Sequence, residues 1–310
     1  MNTPSLEQLQ AWDAFKQMNH PVLSTVLLEE IMQALQINYQ FISHQQIAVS
    51  YKKHLPFSHK GTHGHALIIA GNYGKMGAAI LCAKACLRSG AGLVTAAVPE
   101  NLSSIIQTAL PEAMVVNSTQ LLQIFDWNKY SALGVGPGWG IDTTHAQILL
   151  QIIKTCHHPM VIDADAITIL SENKQWLNYL STNTIVTPHV KEFDRLFGNS
   201  LNDFERWNKA LEASLTYQCI IVVKGTFTLI ASKGKAFINS TGNAGLAKGG
   251  SGDVLTGIIT ALIAQHYSPE QAAITGVYLH GLAANIALEQ QTTESMLATD
   301  VIEALGKIKL

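Results

Sequence analysis

HALIIAGNYGKMGAAILCAKACLRSGAGLVTAAVP, residues 65–99, decides the fold. Its opening, ALIIAG, is a short uninterrupted apolar run, which reads as a strand buried on both faces. A glycine-containing turn follows. AAILCAKACLRSG then carries apolar residues at helical spacing and stops at Gly90, a residue free to take the left-handed conformation that ends helices. LVTAAVP supplies a second apolar run. Strand, helix and strand in this order form the unit of a parallel sheet.

The same alternation continues along the chain. Apolar, β-rich runs recur in SALGVG (131–136), MVIDADA (160–166), TIVTPH (184–189), CIIVVKG (219–225) and TLIAS (228–232), and several end in Gly, Asp, His or Lys. Helical stretches lie between or after them, notably TTHAQILLQIIKT (143–155) and DVLTGIITALIAQ (253–265). The expectation is an α/β fold with a central, mostly parallel sheet covered by helices on both faces. Ligands in such sheets collect beyond the carboxyl ends of the strands, so the polar residues that close these runs are the first places to look for chemistry.

Composition narrows the class. The chain has 310 residues, 47% hydrophobic and only 14% charged, with 23 glycines, which is globular rather than disordered or collagen-like. A formal net charge of −2 gives no electrostatic footprint for nucleic acid or an anionic membrane. MNTPSLEQLQAWDAF lacks the basic and apolar regions of a secretory leader, and no stretch stays apolar for the roughly 18 residues a membrane span needs. A cytoplasmic protein is expected. Cys82, Cys86, Cys156 and Cys219 form no CxxC pair and read as reduced core thiols, with Cys82 and Cys86 on one helix face. Residues 1–56 read as an N-terminal helical appendage, with WDAFKQM and VLSTVLLEEIMQAL at helical spacing, and 57–310 as the main domain.

The strongest local signal is NAGLAKGGSGDVLTGIITALIAQ, residues 243–265. Gly249, Gly250 and Gly252 let the backbone approach a ligand closely, so that successive amides around Ser251 converge on one phosphate. The helix that follows is fixed by Val254, Leu255, Ile258, Ile259, Leu262 and Ile263, and its N-terminus attracts anions. Asp253 is then the odd residue. A carboxylate beside a phosphate repels it unless it works as a base or pairs with a cation; the bland alternative is a helix cap. This is no Walker loop, because position 69, ahead of Gly74-Lys75, is Ile69. Nor is GVGPGWG (134–140) a dinucleotide fingerprint, since Trp139 stands where the last glycine belongs. Asp163 and Asp165 in VIDADAI close a buried strand at the ligand edge, either in the chemistry or bracing a loop. His59, His63 and His65 lack the carboxylates or cysteines of a recognisable zinc set.

Taken together, HKGTHGHALIIAG, YGKMGAAILCAKACLRSGAGLVT, LPEAM, GVGPGWG, VIDADAI, TPHVKEF, VVKGTFTLI and NSTGNAGLAKGGSGDVLTGII resemble the NAD(P)H-hydrate dehydratase family, a branch of the ribokinase-like fold. The resemblance covers about residues 57–305. It implies a hydro-lyase that uses ADP, or ATP, to dehydrate the S epimer of hydrated NADH or NADPH, with Mg2+ as cofactor and a homo-oligomer, tetramer or higher, as the assembled form. Carried over by position, Asp253 matches the catalytic base and hydrate contact. Lys224, Gly225, Thr226, Phe227 and Thr228, with Gly249, Gly250, Ser251 and Gly252, match nucleotide-binding positions. Ala79, Gly138 and His189 match positions that touch the hydrated nicotinamide, and Glu192 matches an acidic residue near magnesium, through water. SLEQLQAWDAF resembles the opening of the epimerase domain fused to this dehydratase in many bacteria. Only about 55 residues precede the match, too few for an independent catalytic α/β domain, so no epimerase activity is expected. Two rivals remain at this stage: a kinase of a thiamine-precursor alcohol on the same fold, and a catalytically silent nucleotide sensor.

Overall fold

The computed structural model describes residues 5–7, 10, 12, 39–123 and 125–310. One ten-stranded sheet runs through it. In chain order the strands are β1 (Gln40–Phe41), β2 (His65–Ile69), β3 (Leu93–Val98), β4 (Met114–Asn117), β5 (Ala132–Val135), β6 (Met160–Ile162), β7 (Thr184–Val186), β8 (Ile220–Val223), β9 (Thr228–Ser232) and β10 (Lys235–Asn239). Their spatial order is β1-β10-β9-β8-β7-β6-β5-β2-β3-β4. Among these strands only β9 runs antiparallel to its neighbours. The expected mostly parallel sheet is therefore present; β1, β4 and β10 add to the strands legible in the sequence.

The helices are α1 (His44–Ser50), α2 (Met76–Arg88), α3 (Ser103–Ala109), α4 (Thr143–Thr155), α5 (Ala164–Glu172), α6 (Val190–Phe197), α7 (Asp203–Thr216), α8 (Ser251–Ala264), α9 (Pro269–Ala287) and α10 (Ala298–Leu305). Because side chains alternate along a strand, β2 feeds two cores. Ala66 and Ile68 face one that includes α2, α8 and α9, and Leu67 and Ile69 face the other, with α4, α5 and α7. All four cysteines are free thiols and buried, Cys82 and Cys86 one turn apart on α2.

Helix α8 is buried beyond the face formed by Val254, Leu255, Ile258, Ile259, Leu262 and Ile263. Every residue from Val254 to Ala264 is buried, because α2 covers one side, α9 another and the sheet a third. Gly257 makes the α2 contact possible: a Cβ there would lie 2.2 Å from the Cys82 carbonyl oxygen. A helix apolar all round is a buried helix, and its start is correspondingly immobile.

The stretch 39–52 belongs physically to the main body. Gln40–Phe41 pairs in parallel with β10, Ile47 is fully buried, and the Lys52 amide donates to the Tyr267 hydroxyl at 2.6 Å. Of the expected N-terminal helical segments, VLSTVLLEEIMQAL lies outside the described residues, as does WDAFKQM except for Trp12. No helix among the described residues is long and apolar enough to cross a membrane.

Candidate active site

Strand order reverses between β2 and β5: the chain leaves β2 toward β3 and β4, then returns to build outward from β5 on the other flank. That switch point opens a crevice at the carboxyl ends. Gly71, the GPGWG turn after β5, Asp163 after β6, His189 after β7 and Lys224 after β8 all lie along this edge.

Asp163 sits at the centre. It is 1% exposed. One carboxylate oxygen accepts from Lys224 Nζ at 2.7 Å and the other from the Thr256 hydroxyl of α8 at 2.8 Å. Backbone crowding holds it there. Ala164 takes φ 48°, a region few non-glycine residues adopt, and Gly136 passes so close that a Cβ on it would lie 1.9 Å from the Asp163 carbonyl oxygen. Asp165 braces a loop: it accepts from the Gly140 amide at 2.8 Å and from Lys75 Nζ at 3.2 Å.

The glycine cluster ends in α8. Gly250 is the N-cap with φ 93° and offers no side-chain cap. A Cβ on Gly250 would meet Leu81 of α2 at 2.7 Å, so glycine serves both the turn and the close approach. The Ser251 amide donates to the Lys248 carbonyl oxygen at 3.4 Å, whereas the amides of Gly252 and Asp253 have no intrahelical acceptor and remain donors for an anion. Asp253 lies inside this first turn, past the cap position, which removes the capping alternative. Its carboxylate accepts no hydrogen bond from, and forms no ion pair with, any described residue. Burial raises its pKa from 3.8 to about 6, with the Asp163 charge adding to the rise, Lys224 opposing it and Asp165 adding a little more. A carboxylate poised near neutrality and free of partners is suited to accept a proton.

His189 and Lys224 are brought side by side by a parallel bridge between the ends of β7 and β8. His189 caps α6: its Nδ1 accepts from the amides of Lys191 and Glu192, while Glu192 Oε2 accepts from the His189 amide at 2.8 Å. Burial lowers the His189 pKa, and Lys224 and Arg195 push the same way. With Nδ1 accepting, the neutral ring carries its proton on Nε2, which lies 3.5 Å from Glu192 Oε1. Glu192 is buried, 4.0 Å from Lys224 Nζ; burial raises its pKa and Lys224 partly offsets the rise.

The other expected site residues divide. Gly225 and Thr226 are exposed at the edge and Thr228 is half-buried. Phe227 instead turns its ring into the core, 5.3 Å from the Trp12 ring. Gly138 has φ 57° and lies against the start of α2, where a Cβ would be 2.8 Å from that of Ala78. Ala79 is fully buried beneath Gly71 and shapes the turn from behind. Ser251 is buried, its hydroxyl 3.4 Å from His280 Nε2. The residues that sequence reasoning left undecided are Asp163 and Asp165, and it did not single out Thr256 or Lys75. Their signal was a pair of carboxylates closing an apolar strand.

Three comparisons bear on this geometry. The sequence model described as NAD(P)H-hydrate dehydratase matches residues 66–307. The ADP-dependent (S)-NAD(P)H-hydrate dehydratase of Bacillus subtilis is 32% identical over 284 residues, covering 88% of this chain and 98% of that protein. The bifunctional NAD(P)H-hydrate repair enzyme Nnr of Escherichia coli is 38% identical over 278 residues, covering 87% of this chain and 52% of that protein; the chain spans about half the length of the bifunctional relatives it matches. Among solved structures, the ADP/ATP-dependent NAD(P)H-hydrate dehydratase of Bacillus subtilis, co-crystallised with ATP and Mg2+, superposes with a TM-score of 0.78 at 30% identity, over 87% of this chain and 97% of that one. A hydroxyethylthiazole kinase of Pyrococcus horikoshii reaches 0.61 at 15% identity, over 81% of this chain and 91% of that one, a likeness of fold alone.

Proposed function

The chain belongs to the NAD(P)H-hydrate dehydratase family, and from that premise we propose that it restores NADH or NADPH from the S epimer of the hydrated cofactor at the expense of ADP or ATP. The observation that carries the reading is Asp253, a partly buried carboxylate with a pKa raised to about 6, set in the first turn of a helix whose glycine-rich start faces the carboxyl edge of the sheet.

The hydrate carries a hydroxyl on a saturated ring carbon bonded to nitrogen, and hydroxide leaves poorly at neutral pH. Asp253 accepts the hydroxyl proton as the oxygen attacks the terminal phosphorus of the nucleotide; the P–O bond to the departing AMP, or ADP, breaks. The amides of 249–252 and the Lys224 ammonium stabilise the transferring phosphoryl charge. The ring-nitrogen lone pair then expels inorganic phosphate with its C–O electrons, and loss of a proton from the adjacent carbon re-forms the double bond. The Nε2 proton of His189 serves to hold a carbonyl or diphosphate of the substrate. Gly225, Thr226 and Thr228 line the nucleotide's side, and Gly138 the substrate's.

Magnesium bound mainly by phosphates and water needs only one or two protein carboxylates. Glu192 fits that limited part, its carboxylate being close to Lys224 at the same edge; among the described residues no cluster of three His, Cys, Asp or Glu forms a cage of its own. The ion would neutralise phosphate charge. Four free, buried cysteines suit a reducing cytoplasm, and a homo-oligomer of at least four copies is part of the same proposal.

The test is direct. Purified protein, hydrated NADH and ADP should give NADH absorbance with stoichiometric inorganic phosphate, and ATP should be compared in parallel. If only a thiazole or pyrimidine alcohol is phosphorylated, with a stable phosphate ester as product, the kinase reading replaces this one; absence of any nucleotide turnover favours a sensor.

A further inference from the structure

Trp12 lies well before the region that the family model matches, yet it is 2% exposed. Its ring centroid is 5.2 Å from that of Phe204, 5.6 Å from that of Trp207 and 5.3 Å from that of Phe227. Its indole N–H donates to Asp203 Oδ2 at 3.2 Å. Phe227 is the last residue of the loop between β8 and β9, with exposed Thr226 before it in the loop and half-buried Thr228 opening β9 after it. Anchoring the Phe227 ring therefore fixes the backbone that presents both neighbours. A second line of contact leads to the neighbouring helix α6. Asp203 pairs with the buried Arg206 at 3.1 Å, and Arg206 pairs with Asp194 at 3.3 Å. Asp194 lies on α6, whose N-terminus carries His189 and Glu192.

We propose that Trp12 is a positioning residue for nucleotide binding: packed under Phe227 and tied through Asp203 and Arg206 to α6, it holds the 225–228 loop in the conformation that receives the nucleotide. The inference rests on the nucleotide reading above. It gives Trp12, a residue outside the region that the family model matches, a part in the site. The ring contacts are dense, apolar and sheltered from water, the setting in which aromatic pairs contribute beyond their buried area. Trp12 touches no substrate in this picture and acts only through Phe227 and Asp203.

ADP binding by calorimetry and the ADP dependence of turnover should be measured on the full chain, on Trp12→Ala and on Trp12→Phe. Trp12→Ala should weaken ADP binding about tenfold and raise its KM in step, with kcat at saturating ADP within about twofold of wild type. Trp12→Phe keeps a ring against Phe227 and should restore most of the affinity. Equal losses in the two variants, or unchanged ADP affinity in Trp12→Ala, would overturn the inference. A wild-type chain that binds no ADP would overturn the nucleotide reading along with it. Should Trp12→Ala fail to fold, hydrogen exchange on the wild-type protein decides: ADP should slow exchange both at 225–228 and around Trp12, and protection confined to 225–228 would refute the buttress.

Discussion

The Asp163 carboxylate and the Lys224 ammonium lie 2.7 Å apart across the end of β7, each just past the carboxyl end of one of the two strands that flank it. The carboxylate is almost wholly buried while the lysine keeps a fifth of its side chain exposed. The lysine thus enters the crevice already aimed, with its entropy of ordering spent by folding rather than by ligand binding. Thr256 holds the second oxygen of Asp163, so the same carboxylate ties α8, and with it the glycine-rich helix start, to the lysine that shares its task.

Removing the lysine leaves that carboxylate buried and uncompensated. Lys224→Ala should lower unfolding stability by about 3 kcal/mol in urea titrations and weaken ADP binding measured by calorimetry. Adding Asp163→Asn should recover much of the stability without recovering the affinity. Unchanged ADP affinity in Lys224→Ala would reject its role at the phosphate.

A positioned base contributes roughly 10²–10⁴-fold to turnover. Asp253→Ala should lower kcat by about that factor while ADP affinity stays close to wild type. In the wild type, kcat should fall as pH drops through about 6, where the carboxyl gains its proton. Near wild-type turnover in Asp253→Ala, or an activity plateau persisting well below that pH, would take this residue out of the mechanism.

The same pKa has a consequence for stability, of opposite sign to that of a salt-bridged carboxylate. Folding raises the Asp253 pKa from 3.8 to about 6, so the folded state favours the protonated form. Below the unfolded value the group costs nothing; the penalty grows as pH rises between the two values and is complete above the folded one. Asp253→Asn should therefore stabilise the protein by about 2–3 kcal/mol at pH 8 and by almost nothing at pH 3. Denaturation at the two pH values measures the difference directly, and an equal effect at both would contradict it.

Two glycines of one stretch should behave oppositely. A Cβ at Gly257 would lie 2.2 Å from the Cys82 carbonyl oxygen, so Gly257→Ala should force α8 off α2 and cost about 2 kcal/mol or more. A Cβ at Gly249 meets nothing within 4 Å, so Gly249→Ala should change stability by less than about 0.5 kcal/mol. Its effect should appear in ADP affinity instead, where the methyl group stands between backbone and phosphate. Thermal unfolding and calorimetry on the pair separate the two roles.

By itself, the sequence determined the layered α/β architecture. The period of its apolar residues switches between strand and helix spacing, as at 65–99, and that pattern is local. It determined equally that a glycine cluster beside Asp253 opens a helix. It did not determine β1, which exists only because β10 offers an edge to two residues, Gln40 and Phe41. Nor did it reveal that α8 is enclosed on all sides, since a helix with one apolar stripe and a helix with several look alike until its neighbours are known.

Only the tertiary structure decided which charges meet. Asp163, Lys224 and Thr256 are separated by 61 and 93 positions along the chain, and no spacing rule connects residues that the sheet order brings together. The same holds for Phe227, whose ring turns inward because Trp12 fills the space beneath it. Local periodicity is set by the geometry of one helix or strand, whereas a charge pair or an aromatic contact depends on where two distant elements come to rest. The first can be read from neighbouring residues, and the second appears only once the chain has closed on itself.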